Sequence, residues 1–400
     1  MKKQLLEGIR VIDFTWHLTG PLTTKHLSDL GAEVIRVESM RSPDIQRLGG
    51  LLGSFNQYNS SKKAITLNLK TPEGLEICKK LIAKCDVLVE NFAGGAIDRM
   101  GLSYDVVSKI KPDIIMCSSC MQGQTGPFAK HPGSGHKLTA LCGFNHVYGW
   151  PDRGPGWIGA YTDFIAPRYN IIAIMAALEY RRRTGKGQYL DMSQYEGGLQ
   201  FMSPSILEYV VNGRIQERMG NRSDYAAPNN AYRCKGEERW CAVTVATEEE
   251  WVAFCKAIGK PELAANPKFA NFRARKANET ELDEVVTAWT SVRTAEEVMD
   301  TLQKVGVAAA VVATGEDLMD KDPQIQYRGS FVKVNHPEYP EKVKKPIYRT
   351  QTGSHFQMSK YTPTITPVPK LGEHNEYVYK ELCGLSDAEY DKMVEKGVFQ

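Results

Sequence analysis

Asp163 is the residue whose type and position best fit a catalytic nucleophile. It follows Gly159-Ala-Tyr-Thr and precedes a long apolar segment. A carboxylate at a helix start can be an N-cap that accepts backbone N–H bonds, which is a structural role. The helix dipole and the same N–H donors would also keep the carboxylate ionised, and in a dry pocket an ionised carboxylate is an effective nucleophile. Trp150, Trp157 and Tyr161 are close enough in sequence to line such a pocket, so both roles stay open.

Motifs for other common chemistries are absent or weak. No GxGxxG follows the first predicted strand, and the sequence has no GxxxxGK[ST], GxSxG or HExxH motif, which argues against dinucleotide, P-loop, hydrolase and zincin sites. Cys117 and Cys120 have CxxC spacing, but no second pair and no histidine at a zinc-like interval accompany them. We interpret them as small side chains at a strand end and expect no metal site.

The first 120 residues alternate strand and helix patterns. Strands are predicted at residues 11–14, 34–37, 64–69, 87–90 and 114–117. Strands separated by helices predict βαβ units and a mainly parallel sheet. Residues 121–162 are rich in Gly, Pro and Trp and form a loop region long enough to be functional. Residues 163–183 predict one long helix whose apolar middle should be buried.

Charge and cysteine content exclude several classes of protein. The 400 residues carry 50 Lys and Arg against 47 Asp and Glu, a net charge of +3. That balance is too even for a protein that binds a nucleic acid or a membrane surface through its overall charge. No apolar run approaches the ~18 residues of a membrane span. The nine cysteines are scattered and no signal-peptide pattern opens the sequence, so we expect reduced thiols in the cytoplasm.

Eight motifs between residues 5 and 374 make the sequence resemble the family III CoA-transferases, the group of formyl-CoA transferase and carnitine CoA-transferase. In chain order they are LLEGIRVIDF with Gly20-Pro21, LGAEVIRVE at 30–38, LNLKTPEG at 67–74, DVLVENFAGGAIDRMGL at 86–102, the segment of Asp163, ALEYRRRTGKGQYLDMS at 177–193, DPQIQYRG at 322–329 and PKLGEH at 369–374. The resemblance implies that Asp163 attacks an acyl-CoA thioester to give an acyl-aspartyl anhydride. An incoming carboxylic acid then takes up the CoA.

The resemblance also implies which residues bind CoA, whose thioester is a substrate, and it implies no permanently bound cofactor. Arg36 and Arg41 are charged candidates for the CoA phosphates, because a guanidinium fork fits phosphate well. The other positions assigned to CoA binding are His17, Leu67, Lys70, Asn91, Phe92, Arg99, Met100 and His136.

The resemblance, together with the strand pattern, predicts the fold class and the assembly. We predict an α/β protein with a Rossmann-like large domain that contains a parallel sheet and the catalytic residues at 1–225. A small α+β domain follows at 226–325, and an extended proline-rich strap with a C-terminal helix returns to the large domain at 326–400. Family members form interlocked dimers, so we expect an interlocked homodimer, or a heteromer with a homologous subunit.

Three departures from formyl-CoA transferase concern the acceptor acid. Leu18 stands near the place of a glutamine, Gly135 or His136 stands where relatives often carry an acidic residue, and no glycine-rich loop lies between Met219 and Tyr232. We therefore predict an acceptor larger than oxalate. The aromatic residues around Asp163 favour an aromatic acid of the benzylsuccinate or phenyllactate type.

Two other functions stay open at this point. An α-methylacyl-CoA racemase on the same fold would remove an α-proton with a His/Asp pair from a GHD-type motif, whereas His136 lies in GSGHK. A non-catalytic subunit of a heteromeric CoA-transferase would bind CoA without using Asp163.

Overall fold

The computed structural model describes residues 4–48, 52–334, 349–351 and 357–400. The chain divides into two compact units. The larger unit comprises Met1–Phe144, Ile158–Ile215 and Ile325–Gln400, and the smaller comprises Asn145–Trp157 and Gln216–Gln324. The division at Gln324 lies beside the boundary predicted at 325, whereas the one at Gln216 lies upstream of the predicted 225. The piece Asn145–Trp157 is absent from the predicted small domain.

A six-stranded parallel sheet in the order β3-β2-β1-β4-β5-β6 forms the centre of the larger unit. Its strands are β1 Arg10–Asp13, β2 Glu33–Glu38, β3 Lys63–Thr66, β4 Val87–Glu90, β5 Ile115–Cys120 and β6 Gln188–Ser193. The predicted α/β fold with a parallel sheet is confirmed. The sixth strand, β6, was not among the predicted strands.

Helices connect and cover these strands. They are α1 Thr19–Asp29, α2 Leu52–Asn59, α3 Pro72–Ile82, α4 Ala96–Arg99, α5 Tyr104–Ile110, α6 Gly135–Leu141, α7 Phe144–Val147, α8 Thr162–Thr184, α9 Gln194–Phe201 and α10 Ser203–Asn212. The residues at the start of α3 explain why a helix begins there. Thr71 is an N-cap that accepts from the Gly74 N–H at 3.1 Å, and Pro72 occupies the first helical position.

The sheet is buried on both faces because successive residues of a strand point to opposite sides. Ile12 and Leu88 pack with Ile77 of α3 on one face. Val11 and Val87 pack on the other face with α1 and α8. Full burial of each such side chain stabilises the fold by about 1.5–3 kcal/mol.

The long helix α8 differs from its prediction in one respect. Its bounds, Thr162–Thr184, agree with the predicted 163–183. Ile174 and Ala177 are buried against the sheet, but Ile172 on the opposite side is 65% exposed. The expectation that the whole apolar middle is buried is therefore wrong for this single chain, because only one face of α8 packs against α1 and β5.

The smaller unit is an α+β structure with an antiparallel sheet in the order β7-β8-β9. Its elements are β7 Asn229–Arg233, β8 Trp240–Thr244, α11 Glu248–Ala257, α12 Phe272–Ala277, α13 Glu279–Thr290, α14 Ala295–Gln303, β9 Ala308–Val311 and, across the boundary, α15 Pro323–Arg328. Trp251, Phe254 and Leu282 are in its core. Capping boxes begin α11 and α14 at Thr247 and Thr294.

The C-terminal residues return to the larger unit. A short antiparallel pair joins β10 Phe331–Lys333 to β11 Arg349–Gln351, and α16 Asp387–Glu395 follows a helical turn at Tyr377–Leu382. The Tyr379 hydroxyl donates to the Thr66 carbonyl at 2.7 Å, and its ring stacks on Phe399 at 4.0 Å. Of the strap region predicted at 326–400, residues 335–348 and 352–356 lie outside the described residues.

All nine cysteines lie in described segments and are unpaired thiols, and all but Cys383 are buried. Burial raises the pKa of Cys117 to about 12 and that of Cys120 to about 11. The described residues contain no group of three His, Cys, Asp or Glu side chains arranged to hold a metal ion. Within those same segments, no helix combines the length and the apolar character that crossing a bilayer requires.

Glu90 is a fully buried carboxylate at the carboxyl end of β4. It accepts from the Phe92 N–H at 2.7 Å and from the Gln124 amide at 3.3 Å. Burial raises its pKa to about 7 from 4.5, and the nearby Asp191 adds to the rise. Because the folded-state pKa lies above the unfolded value, protonated Glu90 stabilises the fold below about pH 4.5, and that contribution is lost as the pH rises through about 7.

We expect the substitution Glu90→Gln to stabilise the protein at pH 8 relative to wild type, and to do so much less at pH 5. The relative change between the two pH values should be on the order of 3 kcal/mol, because a neutral amide does not lose hydration energy as a carboxylate does. Urea unfolding at both pH values measures it, with the exposed Glu76→Gln as the control. If the free energies of unfolding of wild type and Glu90→Gln differed equally at pH 5 and pH 8, the raised pKa of Glu90 would be contradicted.

Candidate active site

A cavity of about 570 Å³ lies at the carboxyl ends of the central strands. In the strand order, β1 is followed by β2 on one side, whereas β4 is followed by β5 on the other, so the connections after β1 and β4 run in opposite directions. Such a switch point is the usual ligand site of an open parallel sheet. The cavity is lined by residues 14–16 after β1, residues 36–39, 41, 42 and 44 in and after β2, residues 67–70 after β3, and Phe92 and Met100 after β4.

The sequence-predicted CoA residues divide into two groups. Six line the cavity: Arg36, Arg41, Leu67, Lys70, Phe92 and Met100. Four do not: His17, Asn91, Arg99 and His136. Lys70 and Arg41 are exposed cations, and Arg41 donates to the Gln400 side chain at 3.4 Å. Arg99 is exposed on the last turn of α4.

The Arg36 guanidinium is buried and is paired with other side chains of the protein. Its side chain is 1% exposed. It forms ion pairs with Asp44 at 2.6 Å and Glu38 at 3.3 Å and donates to the Asn59 side chain at 3.0 Å. Binding of CoA phosphate by Arg36 stays a prediction, and in this structure the buried acceptors of Asp44 and Asn59 already take hydrogen bonds from its two terminal nitrogens.

Asn91 acts on the loop after β1. Its Oδ1 accepts from the Trp16 N–H at 2.9 Å and its amide donates to the Trp16 carbonyl at 3.0 Å. Trp16 is exposed and lines the cavity. Asn91 therefore holds the backbone of Trp16, which is part of the cavity wall.

Asp163 lies in the first turn of α8, and the N-cap of that helix is Tyr161. The N-cap role that the sequence left open for Asp163 is therefore wrong. Its carboxylate contacts the backbone of Gly135 in α6, where an added Cβ would stand 2.5 Å from the carboxylate carbon. Burial raises the pKa of Asp163 to about 6, while a hydrogen bond from Thr19 and the charge of His136 lower it.

Two neighbours of Asp163 were not found from the sequence. Thr19 begins α1 and also lies 3.5 Å from the Gln194 side chain. Tyr58 is at the end of α2, and burial together with the Asp163 charge raises the pKa of its hydroxyl. No local pattern signals either residue, because α1, α2 and α8 are distant in sequence and meet only in the fold.

The aromatic residues expected around Asp163 fall in different parts of the molecule. Tyr161 packs edge-to-face on Phe144, with ring centroids 5.3 Å apart, and lies 6.4 Å from Phe201. Trp150 and Trp157 belong to the smaller unit. Tyr161, Phe144 and Phe201 therefore form an aromatic cluster within the larger unit.

Comparison with known proteins agrees with this arrangement of elements. The sequence model described as CoA-transferase family III matches residues 6–375. The succinyl-CoA--D-citramalate CoA-transferase of Chloroflexus aurantiacus is 32% identical over 397 residues, which cover 96% of this chain and 95% of the relative. The beta subunit of the succinyl-CoA--L-malate CoA-transferase of that organism is 31% identical over 403 residues, with 98% of each chain covered.

A solved structure gives the same result for the fold. The crystal structure of a CAIB/BAIF family protein from Brucella suis superposes with a TM-score of 0.85 at 30% identity, and the match covers 95% of this chain and 100% of the other. The family resemblance predicted from eight motifs is thereby confirmed. With the family match extending over nearly the whole sequence, the chain belongs to the family III CoA-transferases and is an enzyme of CoA transfer.

Proposed function

We propose that this enzyme moves CoA from an acyl-CoA donor to a carboxylic acid through covalent intermediates on Asp163. One observation carries the proposal: Thr19, the first residue of α1, bonds to the Asp163 carboxylate, and Trp16, on the loop that leads into α1, lines the cavity. With a pKa of about 6, Asp163 is mostly ionised at neutral pH although burial has removed much of its hydration. A desolvated but ionised carboxylate is the nucleophile that the reaction needs.

In the proposed reaction, an oxygen of Asp163 attacks the thioester carbonyl carbon, the C–S bond breaks and CoA leaves as thiolate, which forms a mixed anhydride. The thiolate attacks the aspartyl carbonyl and releases the donor acid, so that CoA is held on Asp163 as a thioester. The acceptor carboxylate attacks the carbonyl of this thioester, the C–S bond breaks and CoA leaves again as thiolate, which gives a second anhydride. The thiolate then attacks the acyl carbonyl of the acceptor, the bond from that carbon to the Asp163 oxygen breaks, and the new acyl-CoA leaves with Asp163 restored as a carboxylate. Exclusion of water retains the energy of the thioester throughout.

We assign CoA to the cavity at the strand ends. Leu67, Phe92 and Met100 give the cavity an apolar side, and Lys70 and Arg41 provide cations that suit phosphate. Of the remaining predicted residues, we assign Asn91 an indirect role through Trp16. Binding of CoA by His17, Arg99 and His136 stays a prediction.

Short dicarboxylic acids are the acceptors that we favour. The two relatives are named for succinyl-CoA with citramalate or malate, and each of these molecules has a free carboxylate besides the group that exchanges CoA. His136 is exposed beside Asp163. A histidine in that position can donate to the carboxylate that does not react.

An aromatic acid is the second candidate acceptor. Tyr161, two residues before Asp163, forms a cluster with Phe144 and Phe201. Such rings could hold an apolar substituent next to the reacting carboxylate.

We propose the cytoplasm as the location of the reaction. The nine unpaired cysteines support it, because thiols stay reduced in that compartment.

A panel of acceptor acids separates the two candidates. With succinyl-CoA as the donor and product mass as the readout, we expect kcat/KM for malate and citramalate to exceed that for phenyllactate by about tenfold or more. His136→Ala should raise KM for malate and leave the value for phenyllactate unchanged, because only malate carries the second carboxylate. Preference for phenyllactate in the wild type would instead support the aromatic acceptor, and benzylsuccinate tests whether both features fit together.

We expect Asp163→Asn to abolish CoA exchange by more than about 1,000-fold while CoA binding persists, because the nucleophile is lost and the cavity is not. Gly135→Ala should lower kcat about 100-fold, since the added Cβ displaces the carboxylate. The measurement is steady-state exchange together with mass spectrometry of a hydroxylamine-sensitive adduct on Asp163.

The matched control for Gly135→Ala is Gly197→Ala in α9, where the new Cβ would meet the Tyr169 ring at an ordinary 3.5 Å. Persistent turnover in Asp163→Asn would overturn the covalent mechanism. Deuterium incorporation at the α-carbon without acyl exchange would support the racemase, and exchange only after a homologous chain is added would support the subunit interpretation.

We propose that two copies of the chain associate through the uncovered apolar faces of α8 and α10. No residue of α10 is buried. Leu207, Val210 and Val211 are exposed, Val210 by 71%. Apolar side chains grouped in this way mark interaction surfaces. A homologous subunit is the alternative occupant, since one relative is named as a beta subunit.

We expect light scattering to give the mass of two chains and Val210→Asp to shift the protein toward one, because a carboxylate cannot be buried in an apolar interface without a partner. Val292→Asp is the control, as that valine of the smaller unit is 67% exposed but lies outside the patch. A monomeric wild type that associates only with an added homologous chain would favour the heteromer.

A further inference from the structure

Three successive backbone N–H groups of the loop after β1 donate to side chains and not to other backbone groups. The Thr15 N–H donates to Asp13 at 2.8 Å. The Trp16 N–H donates to Asn91 at 2.9 Å, and the His17 N–H donates to Asp44 at 3.0 Å. The conformation of this loop is therefore determined by three side chains, which come from the end of β1, the segment after β2 and the segment after β4.

His17 makes the loop dependent on those bonds. Its φ of 63° lies in the left-handed region, which a residue with a Cβ seldom adopts. A residue in that conformation stays there only when its surroundings hold it. The bond from the His17 N–H to Asp44 acts directly on the strained residue.

Asp44 connects two walls of the cavity. Its Oδ2 accepts from the His17 N–H and pairs with Arg36 at 2.6 Å, and its Oδ1 accepts from the Gln46 N–H at 2.9 Å. Trp16 on the first wall and Ser42 on the second both line the cavity. A single carboxylate, 1% exposed, thus fixes the loop after β1 relative to the loop after β2.

A chain of buried polar groups supports this carboxylate. Arg36 donates to the Asn59 side chain at 3.0 Å, and Asn59 also accepts from Lys62 at 2.9 Å. Lys62 pairs with Asp13 at 3.1 Å. This series of paired side chains therefore runs from Asp44, which accepts from the His17 N–H, to Asp13, which accepts from the Thr15 N–H of the same loop.

We propose that Asp44 is a positioning residue for CoA binding, which acts through the His17 N–H to hold Trp16 and the loop after β1 in the shape that fits CoA. Arg36 supports it by balancing its charge, which explains why that arginine is buried. The inference rests on the proposed assignment of CoA to this cavity. A role in fold stability alone would affect unfolding but not the affinity of the folded protein for CoA.

The pair Lys25–Asp29 provides a matched control. Both side chains are 1% exposed and 2.6 Å apart in α1, within the same unit. Neither residue lines the cavity. Asp29→Ala therefore removes a comparably buried carboxylate without touching the loop.

The test is titration calorimetry of free CoA on the full-length protein, combined with exchange kinetics. We expect Asp44→Ala to weaken CoA binding and raise KM for the acyl-CoA by about tenfold or more, with kcat changed less than about threefold. Asp44→Asn should fall between wild type and Asp44→Ala, because its amide oxygen can still accept from the His17 N–H. Asp29→Ala should leave the CoA affinity unchanged.

Each outcome has a separate meaning. Lys70→Ala and Phe92→Ala first report whether CoA occupies the cavity; if neither weakens binding, the CoA assignment fails and this inference with it. If they weaken binding but Asp44→Asn and Asp44→Ala do not, only the role of Asp44 is overturned. Equal losses in Asp44→Ala and Asp29→Ala would also overturn it, since the effect would then be one of general destabilisation. Should Asp44→Ala fail to fold, Asp44→Asn decides alone.

Discussion

The proposed mechanism requires the carboxylate of Asp163 to lose much of its water and still be ionised near neutral pH, and the surroundings of Asp163 meet both conditions. Burial raises its pKa to about 6, and the Thr19 hydrogen bond and the His136 charge limit the rise. Contact with Gly135 contributes the burial, because bare backbone can approach where any side chain would overlap the carboxylate. A site with a second carboxylate at that position would raise the pKa further by charge repulsion.

The topology of the sheet explains why the cavity lies where it does. The reversal of strand order between β1 and β4 leaves a space at the carboxyl ends, and the loops after β1, β2 and β3 fill its edges. Those loops are held by buried charged groups, with Asp13 and Lys62 on one side and Arg36 and Asp44 on the other. A buried charge is costly unless it is paired, so each group fixes the position of its partner. These buried ion pairs therefore fix the geometry of the loops that line the cavity.

The apolar surfaces of the larger unit have a separate explanation. α8 is apolar through its middle, yet it packs against the sheet on one side only, and α10 has no buried residue. Leaving these side chains in water forgoes about 25 cal/mol for each Å² of apolar area. Association of two chains would recover part of that energy.

The sequence by itself determined the strand and helix alternation, the long helix at 163–183 and the family, and it supplied Asp163 as the proposed nucleophile. These follow from short-range patterns: the period of apolar residues, Thr71-Pro72 at a helix start, and motifs that keep their order along the chain. Only the tertiary structure decided that Arg36 is paired inside the protein and that Tyr161, not Asp163, occupies the N-cap position of α8. The tertiary structure alone also decided that Thr19, Tyr58 and Gly135 surround the carboxylate. The physical reason is that burial, and with it pKa and ion pairing, depends on contacts between segments far apart in the chain, and local periodicity carries no record of which segments will meet.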